Sequence, residues 1–159
     1  MFKKKYSKKE IDHLLDVIIR QMNRETRFLE TKQYLQHGNM TVYEHCVCVA
    51  EKSCEIAYRL NLSVDYSVLI RGALLHDYFL YDWHAKDDNS HRLHGFFHPG
   101  KAYENASRDV NLTEIEGDII RHHMFPLTVI PPQSKEAWVV CMADKVCAAK
   151  ETIHRKQNK

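Results

Sequence analysis

Eleven of the 159 residues are histidine, and four positions combine histidine or aspartate with an otherwise apolar setting: His45, the adjacent pair His76 and Asp77, and Asp144. A buried charge is costly unless it is paired or bound to a metal. Neutral imidazole and carboxylate together suit a first-row divalent ion, and the absence of cysteine from these positions argues against a structural zinc knot. An open, catalytic metal site is the chemistry that these residue types can support.

The elements that must position them are helical. Ser7 and Glu10 have capping-box spacing ahead of Ile11, Leu14, Leu15, Ile18, Ile19 and Met22, which predicts an amphipathic first helix. After Gly38, Thr41 is placed to cap a helix to about Leu60, with His45 on the edge of its apolar stripe. Asp65 opens a helix through Leu69, Ile70, Ala73 and Leu74 that delivers His76 and Asp77 at its end. From Tyr81 to Gly100 the period is lost, and a long loop is expected there, with a further helix starting near Lys101. Thr113 and Glu116 form a second capping box, for a helix that ends at Arg121, His122 and His123 before Pro126. Ser134 caps a last helix to about Lys150, in which Asp144 shares a stripe with Ala137, Cys141 and Ala148 and so faces a core.

Composition agrees with that reading. The hydrophobic share of 44% is too high for a disordered chain. Five glycines and four prolines are well below average usage, which disfavours a many-stranded β fold. The expected architecture is all-α, with residues 1–159 as one domain made of an N-terminal helix and extension (1–40) and a core (41–151). A net charge of +2 carries no strong nucleic-acid signal, and Lys3, Lys4, Lys5, Lys8 and Lys9 read as a solvated tail. The apolar run from Ala137 to Ala143 is far short of a membrane span, and no secretory signal pattern is seen. Five cysteines, Cys46, Cys48, Cys54, Cys141 and Cys147, lie inside helical patterns without a CxxC pair, as free thiols in a reducing cytoplasm would.

The ordered set of His45, then His76-Asp77 after the run Gly72-Ala73-Leu74-Leu75, then Asp144 inside Ala-Asp-Lys resembles the HD superfamily of metal-dependent phosphohydrolases across roughly residues 41–151. The resemblance implies a helical HD-domain bundle in which these four residues converge on a metal, with His76 and Asp77 as the catalytic pair. Some members, the HD-GYP phosphodiesterases among them, add histidines between the pair and the last aspartate to hold a second ion. His98, His122 and His123 occupy that interval here, and Asp77 would then bridge two ions. Neighbouring helical side chains point about 100° apart, so His122 and His123 can both be ligands only if the helix end bends; His123 is the firmer choice, and His122 reads equally as a solvent-facing residue.

Met124-Phe125-Pro126-Leu127 stands where a GYP signature would, so cyclic dinucleotide hydrolysis is not supported. No glycine-rich phosphate cradle occurs, which leaves His84, His94, Lys101, Arg121 and Lys145 as candidates to bind a phosphate, each of them also readable as a surface residue. Trp83, Phe96 and Phe97 are candidates to stack on a base. The implied cofactor is a divalent transition metal, two ions of Fe, Mn, Co, Ni or Zn, and the implied substrate is a nucleotide or other small phosphate ester hydrolysed by a metal-activated water. A di-iron oxygenase of the inositol-oxygenase type, or a non-catalytic sensor module, fits the same ligands.

Overall fold

Helix α1, Lys8–Glu25, starts where Ser7 accepts from the Glu10 amide while the Glu10 carboxylate accepts from the Ser7 amide. The computed structural model describes residues 6–80 and 90–157, and Lys3, Lys4 and Lys5 lie outside them. Ile11, Leu15, Ile18 and Met22 recur every three or four residues, so α1 buries one face.

A short 3-10 helix, Phe28–Gln33, leads into a two-stranded antiparallel ribbon of β1, Leu35–His37, and β2, Met40–Thr41. Gly38 closes the turn at φ 61°, a left-handed conformation that favours glycine. Leu35 pairs with Thr41 and His37 with Met40, so the register shifts at Gln36. Neither the 3-10 helix nor the ribbon is signalled by the hydrophobic pattern, because both elements are shorter than one period of a reliable signal.

The cap at Thr41 is a full capping box with Glu44, and it starts α2, Val42–Arg59. Asp65 Oδ1 accepts from the amides of Ser67 and Val68 and starts α3, Tyr66–Leu75. Helix α3 is apolar around most of its circumference, with Leu69, Ile70, Ala73, Leu74 and Leu75 fully buried, and it is the central helix, packed on α1, α2 and α5.

Helix α4, Ser90–Asp109, begins well before the Lys101 region, which corrects the expectation of a loop running to Gly100. Its buried face carries His98, Ala102 and Ala106 at a spacing of four. A histidine followed by two alanines gives too little apolar signal for a helical period, and Pro99-Gly100, which ordinarily breaks a helix, lies inside this one. Asp109 at the end of α4 accepts from Arg27 through both carboxylate oxygens and from the Tyr78 hydroxyl. Asn105 donates to the Tyr78 carbonyl at 3.1 Å. These bonds tie the chain just beyond His76 and Asp77 to α4.

The third capping box, Thr113 with Glu116, starts α5, Glu114–His122. Ser134 caps α6 by accepting from the Ala137 amide, and α6, Lys135–Gln157, runs past the expected end near Lys150. Helix α6 packs against α2 and α5. Among the described residues the five cysteines are free thiols, and no helix is long and apolar enough to cross a membrane.

Candidate metal centre

The first turn of α2 supplies His45, the end of α3 supplies His76 and Asp77, α4 supplies His98, the end of α5 supplies His123, and α6 supplies Asp144. All six side chains are buried. They fall into two groups that share Asp77: His45, His76, Asp77 and Asp144 in one, and Asp77, His98 and His123 in the other, each with its ligand atoms close enough together to hold a metal ion.

Asp77 divides its carboxylate between them. Its Oδ2 lies 3.4 Å from His76 Nε2 and 3.6 Å from His45 Nε2. Its Oδ1 lies 3.0 Å from His98 Nε2 and 3.3 Å from His123 Nε2. Asp144 Oδ1 completes the first group at 3.0 Å from His45 Nε2 and 3.6 Å from His76 Nε2.

The far side of three rings fixes which nitrogen faces inward. His76 Nδ1 donates to the Ala73 carbonyl at 2.6 Å, and His123 Nδ1 donates to the Ile120 carbonyl at 2.8 Å. His45 Nδ1 donates to Glu151 Oε1 at 2.8 Å. A carbonyl or an ionised carboxylate only accepts, so each Nδ1 carries the hydrogen, and in the neutral ring Nε2 presents its lone pair to the cluster. Metal-binding histidines are supported in this way, by an outer partner that fixes tautomer and ring angle.

The charge balance also fits a cation. Burial alone would push the Asp77 carboxyl up, yet the surrounding imidazoles, His76 foremost, hold it well below the usual carboxylate range. Asp144 is held down likewise by His45 and His76 against the effect of burial. Burial pulls His45 down, but Asp144 and Glu151 outweigh it and raise the ring to about 10, so the carboxylates demand positive charge at this point. His123 is pushed down by burial, against the pull of Asp77. Two buried atoms at the centre, His76 Nε2 and Asp77 Oδ1, make no hydrogen bond among the described residues, and the 2.9 Å approach of His98 Nε2 to His123 Nε2 points two imidazole nitrogens at one place. Histidine nitrogen with carboxylate oxygen is the donor set of a first-row divalent ion.

His122 is not part of this cluster. Its Nδ1 bonds Asp118 Oδ1 at 2.6 Å, and Asp118 also accepts from the Gln133 and Ser134 amides at the start of α6. With His123 turned inward, its neighbour about 100° away around the helix turns elsewhere, so of these two candidates only His123, the firmer one, faces the cluster.

Three of the candidate phosphate-binding residues, Lys101, Arg121 and Lys145, are engaged in other contacts. Lys101 is exposed and lies 3.6 Å from Glu104. Arg121 donates to the Gly117 carbonyl and stacks 4.4 Å from the Tyr103 ring centroid. The Lys145 amine donates to the His123 carbonyl at 3.2 Å and bridges α6 to the end of α5. His84, Trp83 and the side chains of His94 and Phe96 lie outside the described residues, and Phe97 is exposed.

Two contributors escape the sequence reading. Glu151 stands seven residues after Asp144 on the same face of α6, a spacing that becomes visible once the helix is extended beyond Lys150. Gln36 donates from Nε2 to Asp77 Oδ2 at 2.6 Å, and a single glutamine in a three-residue strand gives no sequence signal.

Comparison with known proteins gave no match among curated proteins and none among solved structures. The HD domain family matches residues 42–149, a span that holds α2 to α5 and most of α6, and with them every member of the cluster. The chain therefore belongs to the HD domain family.

Proposed function

We propose that this protein is a metal-dependent phosphohydrolase that cleaves a nucleotide or other small phosphate ester by attack of an activated water. The observation that carries this reading is the division of the Asp77 carboxylate, one oxygen toward each nitrogen group. His45, His76, Asp77 and Asp144 would hold one divalent transition-metal ion, and Asp77, His98 and His123 a second, chosen from Fe, Mn, Co, Ni and Zn. Bound ions of this kind supply Lewis acidity that polarises a phosphoryl oxygen and brings the ionisation of water near neutral pH.

The protein's own groups do the rest. The Nδ1 hydrogens of His76 and His123 are fixed on backbone carbonyls, so these rings act as rigid lone-pair donors rather than as proton shuttles. The Glu151 carboxylate holds the His45 ring in the same sense. Placing all six groups on or at the ends of five different helices, each packed into the core, sets their separation before any ligand arrives.

The test is phosphate release from a panel of nucleotides and simple phosphate esters, with each of the five metals supplied to metal-stripped protein. Release is expected with at least one metal, to be abolished by chelation, and to be absent from His76→Ala. Oxygen uptake with iron and no phosphate release would overturn the reading in favour of an oxygenase. Nucleotide binding without turnover would overturn it in favour of a sensor module.

A further inference from the structure

Gln36 comes from outside the span matched by the family, on the short ribbon that precedes α2. The register shift between Leu35 and His37 falls at this residue, and such irregularities in a strand re-aim the side chain they carry. Gln36 is 7% exposed, and its Nε2 reaches Asp77 Oδ2 at 2.6 Å. Turning the amide over would set two acceptor oxygens against each other at that distance, so the donor faces the carboxylate. The carbonyl oxygen of the same amide, Oε1, is buried and has no hydrogen-bond partner among the described residues. Buried acceptors are nearly always satisfied, and this one sits on a planar group already anchored at the centre.

We infer that Gln36 is a positioning residue for the centre: its Nε2 fixes the rotation of the Asp77 carboxylate so that one oxygen serves each group, and its Oε1 accepts a hydrogen bond from a water or hydroxyl bound beside Asp77. Without the Nε2 bond the carboxylate is free to turn toward His98 and His123, and the division between the two groups is lost. The ribbon, the glycine turn at Gly38 and the shifted register then serve to deliver this amide to the centre. The inference rests on the proposed function, because it needs ions at the centre.

The experiment is calorimetric titration of metal-stripped full-length protein with Mn²⁺, for the wild type, Gln36→Met and Gln36→Asn. Met keeps the length without the polar group, and Asn keeps the polar group without the reach. Each variant is expected to bind at least one ion about 10- to 100-fold more weakly, the range found when an outer partner of a metal ligand is removed. The thermal midpoint of the ion-free protein is expected to stay close to the wild-type value, which a purely structural role for Gln36 would not allow. If Gln36→Met fails to fold, Gln36→Asn decides. Wild-type affinity in a folded variant overturns the inference alone, whereas a wild type that takes up no ion overturns the proposed function together with it.

Discussion

Asp77→Ala is expected to take up neither ion and to lose phosphohydrolase activity by on the order of 10³-fold or more, well beyond the effect of an outer-shell substitution. The reason is geometric. Each of the other ligand candidates faces one group only, whereas Asp77 lies within 3.6 Å of His45 and His76 through Oδ2 and within 3.3 Å of His98 and His123 through Oδ1. Removing it leaves three separate consequences: the first group falls to His45, His76 and Asp144, the second falls to two histidines, and the four imidazoles lose the charge that draws a cation between them. Metal content, circular dichroism and phosphate release on the same preparation check the result. A folded Asp77→Ala protein that hydrolyses at the wild-type rate would show that the chemistry lies elsewhere.

Gly72→Val is expected to destabilise the fold by about 3 kcal/mol, the upper part of the range for overpacking a filled core. A Cβ at Gly72 would stand 2.3 Å from Ile119 Cδ1 and 3.2 Å from both Cβ and Cγ2 of the same residue. Ile119 is completely buried, so its side chain has little room to retreat, and the helix propensity gained by replacing glycine, less than about 1 kcal/mol, does not offset the clash. The site is affected as well. Gly72 is where α3 lies against α5, and these two helices end at His76-Asp77 and at His123, so wedging them apart separates Asp77 Oδ1 from His123 Nε2. The urea midpoint measures the stability loss, and metal content measures the separation. A midpoint equal to the wild type would mean that the helices are not in such close contact.

How far the sequence reveals this protein depends on whether a feature is local. The capping boxes at Ser7 and Thr113 and the cap at Thr41 are each complete within four residues, and each starts a helix at the expected position. His45, His76, Asp77 and Asp144 stand out because a polar residue interrupts or ends an apolar stripe, and all four meet in one group. The start of α4 is not legible because its buried face is made of His98 and small alanines, and because Pro99-Gly100 imitates a helix stop. His122 and His123 are indistinguishable as neighbours in a chain; only the partner Asp118, brought up by the start of α6, separates them. Gln36 depends on a contact across 41 positions, set by a glycine turn and a shifted register, and nothing in its immediate neighbours announces that.

The two-group centre is tested most directly by the metal content of the purified wild type beside His45→Ala and His98→Ala, measured by plasma mass spectrometry on protein prepared without chelator and supplied with each candidate metal. Two ions per chain are expected in the wild type and one in each variant, because His45 faces only the group completed by Asp144 and His98 faces only the group completed by His123. One ion in the wild type, kept by His98→Ala and lost by His45→Ala, would contradict the two-ion centre, and no ion under any of the conditions would contradict the metal site itself.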